Sequence, residues 1–137
     1  MRKILFGILL VLNNSPAMAE WTRIVKAVGK NEFTAYVDYI SVRKSGNVVK
    51  IWEMYDHKML QEDAGDKYLS VKSLEEYDCV SKRTRLISLS LFSGNMGQGN
   101  VVYSETIINN WQSVAQNNVG ESMWEAACNK KPFRTGL

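Results

Sequence analysis

The chain has 137 residues, with 17 Lys and Arg against 14 Asp and Glu, 45% apolar residues, two Pro and two Cys. That composition excludes collagen-like, coiled-coil and disordered classes and leaves room for one globular domain. The formal net charge of +3 overstates the basicity of the folded part.

Arg2 and Lys3 precede an apolar run from Ile4 to Leu12, and Ala17-Met18-Ala19 offers a small-x-small cleavage site. Residues 1–19 therefore read as a secretory signal peptide, cut before Glu20. The apolar run is too short to cross a bilayer and no second one follows, so no membrane span is expected. Taking 19 residues from 137 leaves 118, and losing Arg2 and Lys3 leaves 15 basic and 14 acidic side chains, net +1. No whole-domain field for nucleic acid remains, and no nucleic-acid partner is expected.

Trp21–Val25 reads as a first strand, closed by a turn around Gly29-Lys30-Asn31, and Phe33–Val37 as a second. Lys44-Ser45-Gly46-Asn47 is a turn signal, and Val48–Tyr55 makes a third strand. Short runs separated by short turns favour hairpins over parallel crossovers. In the third strand Val49, Ile51 and Tyr55 oppose Val48, Trp52 and Met54. Both faces are thus expected to be buried, one by a helix and the other by a partner subunit, which makes a homodimer an allowed assembly.

Asp56 to Lys67 is polar and reads as a loop. Tyr68–Cys79, Arg83–Ser93 and Val101–Glu105 read as three further strands. The run from Arg83 has period two, with Ile87, Leu89 and Leu91 on one face and Ser88 and Ser90 on the other. Val119, Met123, Trp124 and Ala127 then fall on one side of a helix, with Asn118 placed to cap it and Glu121 three residues on. The expected fold is α+β: a single antiparallel sheet of about six strands with a C-terminal helix packed on one face. Residues 20–128 form the domain and 129–137 a loose tail.

Only Cys79 and Cys128 are present, and export makes them disulfide partners. The bridge would close a loop of about 50 residues, which the chain-entropy model values at roughly 4 kcal/mol.

No residue set supports catalysis. The glycine-dense stretch Ser93 to Asn100 joins two strands and is followed by no Lys, so it reads as a hairpin connection rather than a phosphate loop. Glu75, Glu76 and Asp78 read as a solvated sheet edge. His57 is the sole histidine, and Ser70, Ser88 and Ser90 lie on strands without a nucleophile elbow, so neither a metal site nor a nucleophile is expected. The chain reads as a non-enzymatic binding module. Its candidate contact surface is the basic group Lys82, Arg83 and Arg85 with Lys72 on the preceding strand, suited to acidic protein segments, sulfated glycans or haem carboxylates. The plainer reading of the same residues is surface charge paired with Glu75, Glu76 and Asp78.

Several ordered pieces resemble one family. They are Tyr36-Val37-Asp38, Gly46-Asn47, Trp52, and Glu76-Tyr77-Asp78-Cys79 followed by Arg83 and Arg85. Ser93-Gly94, Met96-Gly97, Gly99, Val101-Val102, Trp111 and Val119-Gly120-Glu121 through Trp124 to Ala127-Cys128 continue the set. The pattern is similar to that of the surface-adhesin protein E family of proteobacteria and covers almost all of the chain after the signal.

The resemblance implies an extracytoplasmic domain that binds host matrix proteins such as vitronectin and laminin, and also haem; no other cofactor is implied. It places matrix binding on the central strand pair holding Lys72, Lys82, Arg83 and Arg85. The family's adhesin resembles a lipoprotein, whereas Glu20-Trp21 follows the cleavage site here with no Cys near it. The expectation is a protein without a lipid anchor, periplasmic or secreted, whose partner is a protein or matrix ligand. A periplasmic accessory domain, such as an inhibitor of a cell-wall enzyme or a small-ligand sensor, is the alternative that the residues leave open.

Overall fold

The computed structural model describes residues 19–129. Its elements are β1 (Trp21–Ala27), β2 (Phe33–Ser45), β3 (Val48–Asp63), β4 (Asp66–Asp78), β5 (Arg83–Phe92), a 3-10 turn (Asn95–Gly97), β6 (Val101–Thr106), β7 (Gln112–Ser113) and α1 (Val119–Asn129). All strand pairs are antiparallel, in the order β1-β2-β3-β4-β5-β6, with β7 added beside β5. The expected single antiparallel sheet and C-terminal helix are thus present. Asn129 closes α1, while the signal segment up to residue 18 and the tail from residue 130 lie outside the described residues.

The core forms where α1 meets the sheet. Met123 and Ala127 pack on Ala35, Val37, Val49, Ile51 and Tyr77, all of them buried. Burying several such side chains at about 1.5–3 kcal/mol each outweighs the ordering cost of one short helix. Asn118 caps α1 as expected, its Oδ1 accepting from the Glu121 N–H at 3.1 Å. Cys79 and Cys128 are bridged, fastening the end of α1 to the end of β4. Trp124 reinforces that junction by donating its indole N–H to the Asp78 carbonyl at 3.1 Å.

Three expectations are corrected. The supposed loop from Asp56 to Lys67 is strand: β3 continues to Asp63 and β4 starts at Asp66. Their turn is Ala64-Gly65 with φ of 47° and 88°, a primed hairpin whose first position is Ala instead of the usual Asn or Asp. The polar composition reflects a hairpin that projects beyond the helix-covered sheet, with Met59 and Leu60 exposed where the register shifts between Asp56 and Gln61.

The second correction concerns the far face of β3. Met54 there is fully buried within the single chain, and the 3-10 turn packs against β3 and β4. Asp56 accepts from the Met96 N–H at 2.8 Å and the Asn95 side-chain amide at 3.0 Å. Ser70 donates to the Gly94 carbonyl and accepts from the Gly97 N–H. The glycine-rich connection is therefore a folded cover pinned to the sheet, and Met54 is buried within the single chain, whereas Trp52 on the same face stays 36% exposed.

Gly97 has φ +68°, and a Cβ there would collide with the Lys72 side chain. Gly97→Ala should cost about 1–2 kcal/mol, read from the urea midpoint, through left-handed backbone strain and displacement of Lys72. An unchanged midpoint would show that the cover contributes nothing to stability.

The third correction is Glu75 and Glu76. β4 is an interior strand, so neither sits on a solvated edge. Glu75 faces the helix side, where Thr84 donates to it at 3.1 Å, while Glu76 is buried on the opposite face.

Candidate functional site: a basic row across four strands

The two-residue turn Gly46-Asn47 opens with φ +58° and fixes the register of the β2–β3 hairpin. Arg43 is thereby paired with Lys50. Lys50 in turn faces Glu76 on β4, and Glu76 faces Arg85 on β5. One transverse row, Arg43–Lys50–Glu76–Arg85, thus crosses the sheet on the face away from α1. Its three inter-strand steps span about 14 Å.

Arg85 reaches this face because of a bulge. Leu74 pairs with Ser88 but Glu75 pairs with Leu86, so Ile87 is the extra residue. Side chains alternate with period two, and one extra residue exchanges the faces of everything beyond it. Leu89 and Leu91 face the helix side, while Arg83 and Arg85 emerge on the other. An uninterrupted alternation would have put all four on one face.

Arg85 donates through Nε and Nη2 to one oxygen of Glu76 at 3.2 and 3.0 Å, and Lys50 Nζ lies 3.8 Å from the other. Arg83 pairs with Asp78 at 3.7 Å. The Asp78 carboxyl is held below the usual range, first by the Ser81 N–H, with the Val80 N–H and Arg83 adding to it. Both guanidiniums lie by the Trp111 indole, Arg85 at 4.6 Å and Arg83 at 5.8 Å from its centroid. Arg43 meets no carboxylate within salt-bridge distance among the described residues; its Nη1 donates to the Val42 carbonyl at 2.9 Å. Arg43, Lys44, Ser45, Val48, Lys50, Glu76, Arg85 and Trp111 line a groove of about 340 Å³. Arg43, Lys50 and Arg85 face one carboxylate in it, while Lys44, paired with the core residue Val49, belongs to the helix side.

The four basic residues singled out from the sequence do not form one patch. Arg83 and Arg85 stand together beside Trp111. Lys82 belongs to the helix side, where its Nζ contacts Glu121 at 2.6 Å and lies 5.1 Å from the Trp124 ring centroid. Lys72 shares the face of Glu76 but sits four residues along β4, about 13 Å away. It is folded under the 3-10 cover, 5.0 Å from the Phe92 ring centroid and 5.8 Å from that of Trp21.

Arg43 and Lys50 were missed because Lys44-Ser45-Gly46-Asn47 reads only as a turn. The turn length itself carried the signal, since a two-residue connection forces Ser45 against Val48 and hence Arg43 against Lys50.

Elsewhere, the His57 ring packs tilted against Phe33 and edge-to-face with Tyr68, at 5.7 and 5.9 Å between centroids, and burial lowers its pKa. Among the described residues no group of three or more His, Cys, Asp or Glu is placed to hold a metal ion, and no helix is long and apolar enough to cross a membrane.

The sequence profile of the family described as surface-adhesin protein E matches residues 21–129. No curated protein matches the chain. Among solved structures, the selenomethionine form of protein E from Haemophilus influenzae superposes with a TM-score of 0.60 at 14% identity, covering 80% of this chain and 86% of that one. A second crystal form of the same organism's protein E gives 0.57 at 11% identity, over 81% and 97%. At such identities the structural likeness speaks for the fold.

Proposed function

Because the chain belongs to the surface-adhesin protein E family, we propose that it is an exported, non-catalytic binding module holding a protein or matrix ligand on the sheet face opposite α1. The observation that carries this reading is the groove of Arg43, Lys50 and Arg85 beside Trp111, where positive charge exceeds its internal partners. Indole and guanidinium groups are the side chains most often found at the centre of binding interfaces. Extracellular-matrix proteins such as vitronectin and laminin, the ligands implied by the family resemblance, are the first to test; haem is a further one.

The test is retention of the protein on immobilised vitronectin or laminin, compared with Arg83→Glu. Arg83 is surface-exposed, so charge reversal alters the field without opening the core. Saturable retention that Arg83→Glu weakens about tenfold or more supports the reading, as does steep loss of retention with added salt. Retention indifferent to both salt and Arg83→Glu would overturn the assignment of this face.

A further inference from the structure

We infer that the transverse row of Arg43, Lys50 and Arg85, with Trp111 at its end, is a subsite for a sulfated glycan; the inference rests on the reading of the chain as a binding module. Arg43 and Lys50 are directly opposed like charges, an arrangement that weakens a strand pair by itself. Glu76 compensates only part of the row. Its one oxygen is taken by Arg85 and the other is 3.8 Å from Lys50, while Arg43 turns to the backbone carbonyl of Val42. Lys50 keeps 45% of its side chain exposed. The positive charge is therefore fixed in a line along the groove and left for an external anion.

The donors that remain choose the kind of anion. A peptide carboxylate is best held by a guanidinium fork offering two parallel N–H groups. In Arg85 the Nε and Nη2 groups are already directed at Glu76. What is left is three cations on three different strands: the ammonium group of Lys50, the Nε–Nη2 edge of Arg43 and the outer guanidinium nitrogen of Arg85. A sulfate ester keeps its charge at any physiological pH and presents three terminal oxygens, each able to accept one bond from a different cation. Successive sulfates on an extended sugar chain match a line of cations about 14 Å long. Trp111 provides the apolar wall against which a sugar ring packs, as amphipathic aromatics do where one side of a ligand is wet.

The test is calorimetric titration of the protein with a sulfated heparin-derived hexasaccharide at 50 and 200 mM salt, set against the desulfated hexasaccharide and a Glu-rich peptide of equal charge. The expected result is binding of the sulfated sugar alone, weakened about tenfold or more by the higher salt. Arg43→Ala/Lys50→Ala should weaken it by a similar factor at 50 mM salt without lowering the melting temperature. Three results overturn the inference: binding of the double variant within about twofold of the parent, equal binding of the desulfated sugar, or tighter binding of the acidic peptide. Adhesion to recombinant matrix protein freed of glycans separates the two levels. If it persists while the hexasaccharide fails to bind, the glycan subsite is wrong and the binding-module reading stands.

Discussion

Raising the pH from 5 to 8 should destabilise the protein by about 2–4 kcal/mol, and Glu53→Gln should remove most of that loss. Glu53 is 1% exposed, on the helix side of β3, and its carboxylate accepts from the Tyr77 hydroxyl. Burial, reinforced by the neighbouring Glu75, raises its pKa to about 8. Burial likewise raises Glu75 to about 7, against the Thr84 hydrogen bond that favours the charged form. Tyr55 and Tyr77 are pushed upward, chiefly by burial with Glu53 adding to it, so both phenols stay neutral and add no charge to the cluster. Among the described residues no cation lies within salt-bridge distance of either carboxyl.

Both groups have folded-state pKa values above the ordinary 4.5. Below that value the folded and unfolded chains hold these protons alike, and the carboxyls cost nothing electrostatically. As pH climbs toward 8 the unfolded chain releases protons that the fold retains, so stability falls. Urea denaturation at pH 5, 6.5 and 8 reads the effect directly. Glu53→Gln keeps the size and polarity of the side chain without the charge, and should be more stable than the parent at pH 8 while matching it closely at pH 5. A parent whose stability is flat over this range would sink the account of the pair as proton-holding.

Reduction of the disulfide, or Cys79→Ser/Cys128→Ser, should remove about 4 kcal/mol. The bridge closes a loop with a sequence separation of 49 and ties α1 to the one sheet junction that also holds the Trp124–Asp78 hydrogen bond. An isolated helix of 11 residues is marginal in water, so α1 depends on its docking. Its release would uncover Val37, Val49 and Ile51. The double variant should show a urea midpoint displaced accordingly, with the first proteolytic cuts in α1. A change under about 1 kcal/mol would mean that apolar packing and the Lys82–Glu121 contact hold the helix unaided.

Much of the fold was legible because its signals are local. The helix cap at Asn118 and the turns at Gly29 and Gly46 need only neighbouring residues to be read, whereas the alternation expected through Ile87, Leu89 and Leu91 is broken by the bulge at Ile87. The β3–β4 hairpin was not legible: Ala64-Gly65 lacks the Asn or Asp that marks a primed turn, and the projecting strands carry the polar composition of a loop. Half of the candidate site was visible. Lys82, Arg83 and Arg85 stood out as the densest basic group, whereas Arg43 and Lys50 lie some forty residues earlier and join Arg85 only through the registers of three strand pairs.

By itself the sequence determined the cores of most strands, the C-terminal helix with its cap and the disulfide pair, since propensity, capping chemistry and cysteine count act over a few residues or have no alternative partner. The tertiary structure alone decided which face each side chain occupies. The extra residue at Ile87 reverses the faces of β5, sending Arg85 to Glu76 and leaving Leu89 and Leu91 on the helix side. Residues with similar prior claims were thus dispersed, Lys82 to the helix, Lys72 beneath the 3-10 cover and Arg85 into the row. The physical reason is the two-residue period of a strand, in which a single inserted residue exchanges buried for exposed, and only pairing across strands reveals it.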